Sequence, residues 1–398
     1  MHETLLHNTH PDEIEAFVIA NKMPEQGVID RDKKTYIRFP YNFFPYPESR
    51  AKNQLSRIFS LPSSLLFVKK LVDIIQPDVL YSSQNRPDIV LGHLISKVTG
   101  IPHVIHLHYT VGPWLGEWAF RTIKKSDRLI AVSEYIRETA ILTGVSSEKV
   151  HTVVNTVDNF PVASKSEASR NTIRAEFGWD KDTQIIIGVG RIDRSKGYRD
   201  LILAFERVYE ENPKARLLIC GIATQDKLYE QEVRELVTDI GLETVITFAG
   251  FRRDVAFLLE NSDVFCLPST QEPFGLVFLE AMRAQLPVVA YHSGGVSEIV
   301  LHKRTGMLSY PNDIKTLSEN LLLLLASPYI AQEMGAAGKI RLESDFSGRE
   351  VAQRWIEVLY QLVPTARKEN SAGSLPTEGE LELFRKVKSA RSKKAEPI

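Results

Sequence analysis

Two segments in the second half of the chain carry residues able to do chemistry. In STQEPFGLVFLEAM, Glu272 and Glu280 stand eight positions apart with PFGL between them. The apolar spacing beyond Pro273 predicts a helix start, which puts Glu272 just before the helix and Glu280 near its second turn. Glycine at 275 lets backbone approach a ligand closely. Free N–H groups at a helix start, with the positive end of the dipole, suit phosphate or sugar oxygens. The carboxylates accept hydroxyl protons. A sugar nucleotide has hydroxyls at both ends and a diphosphate between them, so the series acid, helix start, acid fits it, and neither glutamate need be a nucleophile.

The second segment is GVGRIDRSKGY, where a strand end releases Arg191 and Lys196 into a glycine-punctuated loop. Two cations there could grip a diphosphate, although a surface loop that simply holds charge reads equally well. The opening GVG imitates a dinucleotide fingerprint, but Asp193 stands where the third glycine belongs, which disfavours nicotinamide binding. In the first half, HVIHLHYT brings His106 and His108 to one strand. Side chains two apart share a face, but strand ends diverge, so His106 is expected in the core, and a satisfied structural histidine is an alternative for either. The DRD at 30–32 lies in a polar loop and reads as solvated charge rather than a metal site.

These residues need elements to position them. Short β-branched runs followed by longer amphipathic segments recur along the whole chain, the pattern of parallel strands and crossover helices in an α/β protein. Strands are predicted at 15–21, 35–40, 78–83, 103–109, 128–133 and 150–155. Residues 162–182 are polar, a linker with a short helix inside it, and the alternation then resumes with strands at 185–190, 216–221, 245–250, 263–269, 287–292 and 306–310. Two doubly wound domains follow, with a ligand expected beyond the carboxyl ends of the strands, in the cleft between the domains.

The length of 398 residues suits two such domains. A 43% hydrophobic and 25% charged composition is that of a globular chain, and a net charge of -1 argues against nucleic acid as the main ligand. Cys220 and Cys266, the two cysteines, both fall in strand-like runs, so no disulfide framework is expected. The longest purely apolar stretch, 321–326, is far short of the roughly 20 residues of a membrane helix, which with the lack of a secretory signal predicts a cytoplasmic protein. The aromatic run from Arg38 to Pro47, with Lys69, Lys70, Lys124 and Lys125, could rest on the inner face of a membrane.

The ordered set of motifs resembles the GT-B glycosyltransferases of family 4, also called group 1 glycosyl transferases. GVGRIDRSKGYRDLILAF is similar to the family's Gly-Arg then Lys-Gly segment, EPFGLVFLEAM to its Glu-x7-Glu motif and PVVAYHSGGVSEIV to its Gly-Gly segment with a following glutamate. DRLIAVSEYIRETAILTGVSSEKVHTVVNTVD resembles the end of the family's first domain. The resemblance covers about residues 78–363.

It implies two Rossmann-like domains facing a central cleft: 1–165 on the acceptor side, joined by a returning helix at 349–363, and 180–345 for the sugar nucleotide. It also implies a retaining hexosyltransferase that uses a UDP-, GDP- or ADP-sugar, has no cofactor and no metal, and acts on a glycan or lipid-linked acceptor. Arg191 and Lys196 would hold the donor diphosphate and stabilise the leaving nucleotide. Glu280 would bind the ribose, while Glu272 and the backbone at Phe274, Gly275 and Leu276 would hold the transferred sugar. His108 would sit across the cleft, against the sugar or the reacting centre.

The chain departs from that family pattern at its start. HETLLHNTHPDEIEAFVIAN looks like the end of a first helix running into the second strand, so the family's opening strand and glycine-rich loop are expected to be missing. A truncated, catalytically weak sugar-nucleotide-binding or scaffolding protein is the alternative reading. Residues 364–398 are small, charged and poor in large apolar side chains, and read as a disordered tail.

Overall fold

The computed structural model describes residues 2–9, 13–14, 16–20, 34–38, 65–66, 68–84, 86–157, 166–224 and 226–363. The expectations for the tail at 364–398, for DRD at 30–32 and for the aromatic run beyond Arg38 lie outside the described residues.

The chain begins with α1 (His2–His7) and the strands β1 (Ala16–Ala20) and β2 (Lys34–Arg38), which pair in parallel with Ala16 opposite Lys34. After a helix at 68–75 (α2) come β3 (Leu80–Ser83), α3 (Arg86–Thr99), β4 (His103–Leu107), α4 (Glu117–Lys125), β5 (Arg128–Ala131), α5 (Glu134–Leu142) and β6 (Val150–Thr152). Strands β3 to β6 form a four-stranded sheet in that order, and β4 runs parallel to both β3 and β5.

The alternation continues through α6 (Glu167–Glu176), β7 (Gln184–Val189), α7 (Tyr198–Glu211), β8 (Ala215–Cys220), α8 (Lys227–Asp239), β9 (Ile246–Gly250), α9 (Val255–Glu260), β10 (Val264–Leu267), α10 (Leu276–Arg283), β11 (Val288–Tyr291), α11 (Val296–Ile299) and β12 (Gly306–Ser309). Three helices close it, α12 (Ile314–Ala326), α13 (Pro328–Asp345) and α14 (Gly348–Tyr360). Strands β7 to β12 form one parallel sheet in the order β12-β11-β10-β7-β8-β9. A parallel sheet covered on both faces needs strands that are apolar on both sides, and β7 and β10 show it: Ile185, Ile186, Ile187, Val264, Phe265, Cys266 and Leu267 are completely buried. Phe265 meets Phe278 of α10 edge to face, 5.6 Å between centroids, which fixes α10 on the sheet.

Among the described residues the chain divides into two compact units. One, built on the six-stranded sheet, comprises 2–4, 132–138 and 152–351; the other, built on the four-stranded sheet, comprises 5–131, 139–151 and 352–363. The polar segment read as a linker contains more structure than its composition suggests. In α6 the Ser166 hydroxyl accepts from the Ser169 N–H, Ile173 is buried, and Arg174 donates to the Thr183 carbonyl at 2.8 Å while Arg170 pairs with Asp263. Polar residues dominate because one face of α6 is solvated and the other is held by guanidinium groups. At the far end, Trp355 of α14 donates to the Tyr81 hydroxyl at 3.2 Å.

No helix among the described residues is long and apolar enough to cross a membrane. Of the lysines that could face lipid, Lys69 is paired with Asp73 at 2.7 Å and Lys124 stands 4.5 Å from the centroid of the Phe120 ring.

Candidate functional site

In the six-stranded sheet β7 has β10 on one side and β8 on the other, so the strand order reverses between β7 and β10, the place where doubly wound sheets bind ligands. The loops leaving these two strands hold the predicted residues. After β7, the Asp193 carboxylate accepts from the Ser195 N–H at 3.0 Å and starts a single 3-10 turn, Arg194–Lys196. This is why the third glycine of the dinucleotide fingerprint is missing: the position builds a turn through its side chain. Tyr198, completely buried, donates to the Gly190 carbonyl at 2.8 Å and pins the strand end.

The turn delivers Lys196 to Glu272. Lys196 Nζ lies 2.6 Å from Glu272 Oε2, with Glu272 buried and only 17% of the lysine side chain exposed. The other predicted cation is placed differently. Arg191 is 52% exposed and 3.4 Å from Asp193, so it offers its charge from the rim of the same loop.

Backbone bonds lock the loop after β10 to its neighbours. Thr270 N–H donates to the Ser195 carbonyl at 2.7 Å, Gln271 N–H to Ser293 Oγ at 2.8 Å, and Gly295 N–H to the Glu272 carbonyl at 2.8 Å. The last contact depends on Gly294, whose φ is +56° and where a Cβ would overlap the Glu272 backbone. Gly294→Ala is therefore expected to lower stability by about 2 kcal/mol, read as a fall in melting temperature.

Gly275, at φ +97°, is the residue from which α10 starts, and a Cβ there would run into the Phe278 ring. Phe278 N–H closes on the Gly275 carbonyl at 3.0 Å, while the first N–H groups of α10, at Leu276 and Val277, have no helical acceptor to reach. The Phe274 side chain is buried and lies edge-on to Phe346 at 6.1 Å, so this residue offers a ligand its backbone, whereas Leu276 is exposed. Glu280, in the second turn, is half-buried. Burial pushes its carboxyl up to about 7, and no partner for it stands among the described residues. The arrangement thus presents an ion-paired carboxylate with Lys196 beside it, a helix start, and in the second turn of that helix a carboxylate with no partner among the described residues.

His108 belongs to the other unit, just beyond β4. Its backbone N–H and that of Tyr109 donate to Gln84 Oε1 at 2.8 and 2.7 Å. Its ring stacks on His106, 4.4 Å between centroids, and burial lowers its pKa to about 4, which keeps it neutral at physiological pH. His106 is fully buried and bonded through Nδ1 to the Tyr81 hydroxyl at 2.6 Å, the core position expected from its place in the strand.

Sequence reasoning missed Ser293, Thr270 and Ser195 as loop fasteners. A serine before two glycines signals a turn at 293, but its partner 22 residues away is set by the packing of β10 beside β11. Among the described residues no group of three or more His, Cys, Asp or Glu side chains is arranged to hold a metal ion.

Residues 169–341 match the family model of the group 1 glycosyl transferases, and residues 13–159 match that of glycosyltransferase family 4. The chain belongs to this glycosyltransferase family. The match to group 1 spans Arg191, Lys196, Glu272 and Glu280. Among relatives of this glycosyltransferase, the alpha-maltose-1-phosphate synthase of Mycolicibacterium smegmatis is 29% identical over 343 residues, 80% of this chain and 86% of that protein. The N-acetyl-alpha-D-glucosaminyl L-malate synthase of Bacillus anthracis is 27% identical over 323 residues, 78% of this chain and 82% of that one. A crystal structure of Anabaena HepE with UDP and glucose superposes with a TM-score of 0.73 at 21% identity, covering 90% of this chain and 95% of HepE. That likeness speaks for the fold, and the two parallel α/β units of this glycosyltransferase are Rossmann-like domains of the GT-B type.

Proposed function

We propose that the chain is a retaining, metal-independent hexosyltransferase that takes its sugar from a UDP-, GDP- or ADP-linked donor and passes it to a glycan or lipid-linked acceptor. The observation that carries this reading is the 2.6 Å Lys196–Glu272 pair at the switch point of the six-stranded sheet, with the start of α10 leading from it to Glu280. Anabaena HepE, a structure of the same fold, holds UDP and glucose, which supports a nucleotide-sugar donor here.

In the reaction the bond from the anomeric carbon to the donor's phosphate oxygen breaks and a bond to the acceptor oxygen forms. The acceptor's hydroxyl proton passes to the departing phosphate. Negative charge grows on the diphosphate as it leaves, and Lys196, held in place before the donor arrives, stabilises it with Arg191 from the rim. These two cations perform the task of a metal ion. Glu272 accepts from hydroxyls of the sugar, the α10 start and the backbone from Phe274 to Leu276 receive its remaining oxygens, and Glu280 accepts from the ribose. His108, a neutral imidazole, is assigned to hydroxyls at the reacting sugar.

A thermal-shift screen of the full chain against UDP-, GDP- and ADP-glucose with a chelator present tests donor and metal independence together. The matching donor is expected to raise the melting temperature and to release nucleotide when incubated with hydroxyl acceptors. Proton NMR of the product then reads the anomeric configuration, and an inverted product rejects the retaining assignment. A folded sample that none of the three donors stabilises rejects the proposal.

A further inference from the structure

Two residues of motifs already singled out have no role in the reaction above: Ser133 of AVSEY and Glu298 of SGGVSEIV. Both touch the loop that precedes α10, or the segments that hold it. Ser133 is fully buried; its hydroxyl donates to the Pro273 carbonyl at 2.6 Å and accepts from the Ile136 N–H at 3.1 Å. One side chain therefore caps α5 and grips the peptide group just ahead of Phe274.

Glu298 completes the cap. Its two carboxylate oxygens accept from the N–H groups of Glu134 and Tyr135, each at 2.8 Å, where the positive end of the helix dipole favours an anion. Its own backbone is fixed by Arg341 of α13, which donates to the carbonyls of Glu298 at 2.8 Å and Ile299 at 2.9 Å. All these residues lie in the six-stranded unit. The loop is thus held at two successive residues, Glu272 through Gly295 and Pro273 through Ser133, and α11 is tied to α5 by Glu298 so that the two grips cannot drift apart.

We propose that Ser133 and Glu298 are positioning residues that keep the 272–276 loop in the shape that receives the transferred sugar of the donor. The inference rests on the assignment of that loop to the sugar. A helix cap alone would affect stability; a positioning role affects how the sugar half of the donor is held relative to the nucleotide half.

Calorimetric titration of the full chain without acceptor separates the two, using UDP and UDP-glucose, GDP and GDP-glucose, and ADP and ADP-glucose as matched pairs. The quantity read is the ratio of the affinity for the glucose conjugate to that for its free diphosphate, in the wild type, Ser133→Ala, Ser133→Thr, Glu298→Gln and Glu272→Ala. Ser133→Ala is expected to lower the ratio about tenfold with the free diphosphate changed less than about twofold. Ser133→Thr, which keeps the hydroxyl, restores it. Glu298→Gln places an amide donor against an N–H and moves the ratio the same way. An unchanged ratio in Ser133→Ala, or equal losses of conjugate and free diphosphate, overturns the inference while a fall in Glu272→Ala leaves the sugar loop standing. Unchanged ratios in both Ser133→Ala and Glu272→Ala overturn the inference and the loop assignment together.

Discussion

Replacing Lys196 with alanine is expected to lower nucleotide release from the donor by about a hundred- to a thousandfold, the loss that follows when one preorganised group facing developing charge is removed. The size follows from its placement. Most of the lysine is out of water, so its charge acts through a medium that screens poorly, and it is already in position when the donor arrives. Arg191→Ala has a smaller effect, about tenfold, because a half-exposed guanidinium at the loop rim shares its work with water. A second consequence separates chemistry from folding. Without Lys196, Glu272 is a buried carboxylate with no ion partner, and the melting temperature falls. Adding Glu272→Gln to Lys196→Ala removes that charge, so stability recovers while turnover stays low. Steady-state release assays and thermal melts of the single and double variants check both halves, and recovered turnover in the double variant would refute the catalytic role of Lys196.

Glu280→Gln moves stability and binding in opposite directions. With its carboxyl pushed up to about 7, the folded protein keeps a proton that the unfolded chain releases nearer the ordinary 4.5. The stabilising contribution of that proton is fully present below about pH 4.5 and is lost as pH rises through about 7, so above neutrality the wild type carries a half-buried charge with no partner among the described residues. Glutamine has nearly the same shape and no charge. The variant is expected to match the wild type near pH 5 and to exceed it near pH 8 by up to about 3 kcal/mol, measured by denaturant unfolding at the two pH values. Its affinity for nucleoside diphosphates falls about tenfold at pH 8, because a carboxylate accepts from two ribose hydroxyls and the amide accepts with one oxygen. A variant with neither added stability nor weakened binding at pH 8 refutes the assignment.

Much of this was legible in the sequence for definite reasons. Buried parallel strands must be apolar on both faces and their crossover helices on one, so runs such as IIIGVG and DVFCLP marked β7 and β10 without reference to any partner. The start of α10 could be read from glycine after proline and phenylalanine, and the eight-residue spacing put Glu280 in its second turn, where it is found. In the segment around α6 the short helix was legible and its partners were not. Its buried face is secured by Arg170 and Arg174, and guanidinium groups that reach Asp263 and the Thr183 carbonyl look in sequence like the solvated charges of a linker.

The sequence by itself determined the class of fold, the order of its strands and helices along the chain, the family, and the residues with suitable chemistry, since each depends on local periodicity or on motifs written in consecutive residues. The tertiary structure alone decided which of those residues meet. Lys196 and Glu272 are 76 positions apart, and Ser133 and Pro273 are 140 apart. Such pairs form because the strand order reverses between β7 and β10, which sets two distant loops side by side, and because Ser133, ahead of α5, and Gly295, ahead of α11, bond to the second of them. The same arrangement separates the two predicted cations, drawing Lys196 inward to a carboxylate and leaving Arg191 at the rim. It also leaves Glu280 without a partner among the described residues, which no spacing along the chain could reveal, since a carboxylate's charge cost depends on what surrounds it in space.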